Sequence, residues 1–177
     1  MKRILLILAL FPLALMAQET KGFTIDGKLE GQPDGTDVLM YKNGENVEMA
    51  KTKVMGNKFA LKGTVKEPVL CFIIVGSEKP IEVYVENAAI SVKGKKADPP
   101  VYEIEGSASH KDFDSFLKDF MPYAKQLSSL ANTINTTAAG ADRDKLTAIY
   151  NTTQENVQKT IDKFIKDKPK SIVTPFI

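Results

Sequence analysis

Between residues 23 and 105 apolar side chains recur mainly at every second position, the period of a strand that turns one face to a core. Phe23, Ile25 and Leu29 alternate with Thr24, Asp26, Lys28 and Glu30; Phe59, Leu61 and Val65 alternate with Lys58, Ala60, Lys62 and Thr64; Ile81, Val83 and Val85 alternate with Glu82, Tyr84 and Glu86. One stretch breaks the alternation. Val69-Leu70-Cys71-Phe72-Ile73-Ile74-Val75 is apolar throughout, entered through Pro68 and left through Gly76. It is short for a helix and rich in β-branched residues, which predicts a central strand buried on both faces. Further strands are expected over 37–42, 46–54, 90–92 and 101–105. Turn chemistry separates them: Pro33-Asp34-Gly35, Asn43-Gly44 as a two-residue hairpin, and Gly56-Asn57. About eight short, closely spaced strands predict an antiparallel β-sandwich or barrel over residues 22–106.

The period changes at Ser107. Phe113, Phe116, Leu117, Phe120, Ala124, Leu127, Leu130 and Ile134 recur at spacings of three and four, as on one stripe of a helix. Ser109, with Asp112 three residues on, is the expected N-cap pair, and Pro122 is expected to kink or divide the helix. After a break at 136–140, Leu146, Ile149, Val157, Ile161, Phe164 and Ile165 mark a second amphipathic helix ending before Pro169. Residues 107–168 therefore read as a helical hairpin or connector whose shared stripe needs a partner. Phe113, Phe116, Phe120, Leu127, Ile161 and Phe164 are its candidate interaction surface. In 169–177, Thr174 and Pro175 stand where a helix would be capped and begun. This predicts the start of a further, truncated element, with an apolar tail tucked against the sheet as the alternative.

Composition places these elements. Residues 1–17 have the layout of a cleavable secretory signal peptide: Lys2 and Arg3, an apolar body interrupted by Pro12, and small Ala17. That body is too short and broken for a stable membrane span. Removing Lys2 and Arg3 from the 24 basic residues leaves 22, against 22 Asp and Glu. The exported chain is neutral, so nucleic acid is not an expected partner. Export implies a periplasmic, oxidising setting, yet there is one cysteine, Cys71, inside the apolar run, expected to be a buried hydrophobe and not a nucleophile. The one histidine, His110, is expected at the solvent-facing start of the first helix. No catalytic, metal or cofactor constellation is read from the residues. Tyr41, Tyr84 and Tyr102 are strand tyrosines that offer at most a ligand-lining surface.

Taken in order, Phe23-Thr24-Ile25-Asp26-Gly27-Lys28-Leu29, Pro33-Asp34-Gly35-Thr36, Gly56-Asn57-Lys58-Phe59, Gly63-Thr64-Val65, Glu67-Pro68, Val83-Tyr84-Val85-Glu86-Asn87 and Ile104-Glu105-Gly106-Ser107 form a pattern. It resembles the N-terminal domain of unknown function that precedes the thioredoxin-like (AhpC/TSA) domain in periplasmic thiol-disulfide oxidoreductases of the TlpA/ResA type. The resemblance implies a noncatalytic scaffold, docking or client-recognition module. Its implied partner is a thioredoxin-like domain in cis or a protein client, and a homodimer is also expected from the helical stripe. In that family a Trp-Cys-x-x-Cys element carries the redox chemistry. This chain has no tryptophan and one cysteine, so none of those catalytic residues transfers. The rival expectation is a stand-alone periplasmic binding protein for a glycan, peptide or lipid.

Overall fold

The structure is a computed structural model that describes residues 22–45, 47–95 and 100–177; the expected leader lies outside them. Eight strands are followed by two helices: β1 Phe23–Glu30, β2 Asp37–Lys42, β3 Glu48–Lys53, β4 Lys58–Gly63, β5 Val69–Val75, β6 Ile81–Val85, β7 Ala89–Lys95 and β8 Tyr102–Glu105, then α1 Ala108–Thr136 and α2 Ala141–Asp167. The strands form two four-stranded sheets, ordered β4-β1-β7-β8 and β3-β2-β5-β6. Of the two architectures expected, the sandwich is the one adopted, since neither sheet closes into a barrel. All pairings are antiparallel except β1 with β7, which run parallel.

Alternation decides which side chains meet. Phe23, Ile25, Leu61 and Ile90 from the first sheet face Val38, Met40, Ile73 and Val83 from the second, all buried in one cluster. Cys71 lies in it, with its Sγ 3.5 Å from Met49 Sδ. Burial pushes the thiol up to about 11, so it stays protonated and unreactive at neutral pH. The strand β5 matches the apolar run residue for residue. Its two faces differ, however. Cys71, Ile73 and Val75 are fully buried, whereas the outward Leu70, Phe72 and Ile74 are half-buried. The helices reach the second sheet at the β6 side, so the outer face of β5 is covered only in part.

Gly56 and Asn57 take φ of +58° and +61°, and Met55 and Lys58 exchange backbone hydrogen bonds of 2.8 and 3.1 Å, a tight two-residue hairpin. The other expected hairpin is longer than two residues. At Asn43-Gly44 the chain makes a local turn, with the Glu45 N–H donating to Lys42 O at 3.2 Å, but β3 does not begin until Glu48. A register shift between Met40 and Tyr41 accompanies the longer connection. Pro122 does not divide α1, which runs unbroken for 29 residues, about 43 Å at helical rise. Pro122 is solvent-exposed, where a backbone carbonyl left without its amide can be met by water. Helix α2 packs on α1, while α1 packs on β6 and β8.

The passage from β8 to α1 pivots on Gly106, at φ +92°, where an added Cβ would stand 2.0 Å from Ala89 O. Both the left-handed backbone and the backbone clash oppose any side chain. Gly106→Ala is expected to destabilise the fold by about 2–4 kcal/mol, read as a lower midpoint with unchanged slope in urea unfolding.

Candidate functional site: an apolar groove beside the second sheet

Where α1 meets the sheet, an outward pair of residues on neighbouring strands is apolar. Leu70 on β5 is in register with Tyr84 on β6. Tyr84 is only 4% exposed although it points away from the sandwich core, because the start of α1 lies over it. Its ring meets Phe113 edge-on at 5.2 Å. One turn along, Phe116 contacts Phe120 at 5.0 Å and Phe164 of α2 at 5.4 Å. Tyr84, Phe116, Phe164 and Val173 form a second buried cluster, separate from the sandwich core.

The chain returns to this cluster after α2. Lys168 Nζ sits 3.0 Å from Asp112 Oδ1 on α1. Burial by itself would raise the Asp112 carboxyl, but hydrogen bonds from Ser171 and Lys168 outweigh it and hold the group below the usual carboxylate range. Thr174 does not cap a helix: its hydroxyl donates to Lys168 O at 2.7 Å, and a three-residue 3₁₀ turn, Thr174–Phe176, follows. Val173 is buried, whereas Phe176 is 73% exposed.

Between these parts lies a groove of about 690 Å³. Leu70 and Tyr84 form its floor, Phe113, Phe116, Phe120 and Ile161 one wall, and Ile172, Val173, Phe176 and Ile177 the other. Lys42, Asn43 and Glu67 stand at its rim. Lys42 Nζ is 2.6 Å from Glu45 Oε1, and that hydrogen bond raises the lysine above its ordinary value. Among the described residues no group of three or more His, Cys, Asp or Glu is placed to hold a metal ion, and no helix is long and apolar enough to cross a membrane.

Of the six residues expected at the interaction surface, Phe113, Phe116, Phe120 and Ile161 line this groove. Phe164 is buried behind Phe116, and Leu127 lies farther along α1, half-buried and outside the groove. Of the three tyrosines only Tyr84 lines it; Tyr102 packs against the sandwich core from β8. The alternative expectation for 169–177, an apolar tail tucked against the sheet, describes Ile172, Val173 and Ile177; that Leu70 and Tyr84 would be what it covers was not legible, because nothing in a linear pattern says which outward sheet residues a returning chain will meet.

Two expectations at the helix start are overturned. Ser109 is not the N-cap. Ser107 is, its Oγ accepting from His110 N–H at 3.0 Å, while Ser109 Oγ donates to Glu86 Oε2 at 2.9 Å. Glu86 also accepts from the backbone N–H of Ala108, so the carboxylate just after β6 serves one free amide and one hydroxyl at the helix start. His110 is not solvent-facing: it is 4% exposed and its Nδ1 accepts from Tyr84 N–H at 3.4 Å. The burial comes from α1 lying against β6, which residue spacing alone does not reveal.

The fold and groove define a class, a two-sheet β-sandwich that carries a helical hairpin at one edge. The chain belongs to the family described as a domain of unknown function, DUF4369, which it matches over residues 23–113, from the first residue of β1 to the first turns of α1. No catalytic family is matched, and the match carries no redox assignment. No curated protein and no solved structure matches the chain.

Glu86 is the testable part of the helix seat. Glu86→Ala is expected to cost about 1–3 kcal/mol, since it leaves Ala108 N–H and Ser109 Oγ without their charged acceptor, and Glu86→Gln less. Thermal unfolding with circular dichroism at 222 nm reads both.

Proposed function

We propose that this chain is a noncatalytic accessory module of a periplasmic thioredoxin-like thiol-disulfide oxidoreductase, and that the groove beside the second sheet is where the thioredoxin-like domain docks. The observation that carries the docking part is the groove: an aromatic wall on α1 faced by the chain's own return, with Phe176 lining it and largely exposed. Aromatic residues in a partly dry recess are the usual anchors of protein association. The redox setting is supported by the ordered resemblance of Phe23–Glu30 and the motifs that follow it, and by the leader-like residues 1–17.

A second reading, a stand-alone periplasmic binding protein for a lipid, peptide or glycan, has one observation in its favour. A volume of about 690 Å³ lies within the usual range of small-ligand pockets.

The readings separate by experiment. A photocrosslinking phenylalanine analogue at position 176, in cells that export the chain, is expected to capture a protein with a paired-cysteine thioredoxin-like domain. Capture of lipid alone, or of nothing, overturns the docking reading. In parallel, the purified chain is expected to raise the fluorescence of anilinonaphthalene sulfonate. Phe176→Asp should reduce that signal several-fold with little loss of stability, because Phe176 is largely exposed.

A further inference from the structure

Strand β6 is the last of its sheet, so its outward backbone groups have no neighbouring strand to pair with. At Tyr84 a side chain takes the place of the missing strand: the Tyr84 N–H donates to His110 Nδ1 at 3.4 Å. A histidine nitrogen accepts only when it carries no proton, so this bond sets the tautomer, with the proton on Nε2. Nε2 in turn lies 3.6 Å from Asp114 Oδ1. Adding a proton at Nδ1 would turn the acceptor into a donor and aim it at another donor, in a site that is almost dry. That arrangement cannot persist, and either the ring or the helix start must move.

We propose that His110 is a proton-operated latch on α1. Neutral, it fastens the helix to the edge of β6 and keeps Tyr84 and Phe113 together at one end of the groove; protonated, it lets that end open. The significance of that end as a docking site rests on the function proposed above, but the latch itself does not.

The surrounding charges set the direction. Burial pushes the imidazole below its ordinary value, and this outweighs the opposing pull of Asp114 on its own helix and Glu82 on β6. Glu86, also at the β6 end, is occupied by Ala108 and Ser109. On β8, the other strand against which α1 packs, Glu103 and Glu105 face Lys93 at 4.0 and 3.2 Å. A base whose folded value lies below its unfolded value of 6.5 favours the native state fully above pH 6.5. That contribution declines as the pH falls from there through the folded value.

The test is nuclear magnetic resonance of the full chain without ligand, from pH 8 to pH 5. The expected results are the Nε2–H tautomer at pH 8, a ring midpoint below 6.5, and protection of the Tyr84 amide falling about tenfold along the same curve after correction for intrinsic exchange. His110→Asn offers Tyr84 an acceptor that does not titrate, so its Tyr84 protection should be flat with pH. Asp114→Asn should lower the midpoint further. An Nδ1–H tautomer, a midpoint at or above 6.5, or Tyr84 protection indifferent to the ring's titration overturns the latch. Dye binding that stays constant with pH while the ring titrates also overturns the latch, whereas dye binding absent at every pH overturns the groove reading instead.

Discussion

The seating of α1 on the open edge of β6 is the contact on which the rest of the molecule turns. A sandwich made only of the eight strands would leave Tyr84 and Leu70 facing water on the wrong side of the second sheet, and would leave the edge of β6 unpaired. The helix answers both needs. Glu86 holds the Ala108 amide and the Ser109 hydroxyl at its start, Ser107 caps it, and His110 accepts from the Tyr84 N–H. These polar contacts fix where α1 begins and which way it runs. Phe113 and Phe116 then fall over the apolar floor and create a second, smaller core. Without that seat the hairpin would have no fixed relation to the sheets, since α2 packs on α1.

The two cores differ in kind. The sandwich core is filled from both sheets by side chains in strict alternation, and it contains Cys71 as one more small apolar group. The second core is assembled from four separate pieces of chain: β6, α1, α2 and the segment after α2. Pieces brought together from distant parts of the chain leave a groove between them. The same reasoning explains why the aromatic wall is half open. Phe116 and Phe164 bury each other, whereas Phe120 and Phe176 are left at the margin.

Membership of a family defined as a domain of unknown function constrains architecture more than activity. The matched residues end at Phe113, so they include the entire helix seat, with Glu86, Ser107 and His110, but stop before most of the groove's helical wall. The seat therefore lies within the matched domain, and the wall beyond Phe113 and the returning segment are supplied by the chain after it.

Local chemistry was enough to locate the strands, though not the length of β7, which is expected over 90–92 and runs over Ala89–Lys95 because its pairing with β1 and β8 extends it. Alternation marked both faces of β1, β4 and β6, the apolar run marked β5 to the residue, and Gly56-Asn57 marked its hairpin, because these signals act over a few neighbouring residues. The same locality explains the errors. Asn43-Gly44 permits a tight turn but cannot enforce one against the register that the bulge at Met40 imposes. Ser109 has the chemistry of a cap, yet Ser107, two residues earlier and directly after the turn at Gly106, serves, and Glu86 accepts from the Ser109 hydroxyl. His110 looked solvent-facing because a polar residue at a helix start ordinarily is. Its burial, the parallel pairing of β1 with β7 and the wall formed by Ile172 and Val173 were decided only when distant segments met. Periodicity specifies which face of an element is apolar; tertiary packing selects what that face will touch, because contact between remote segments depends on the path of the chain between them.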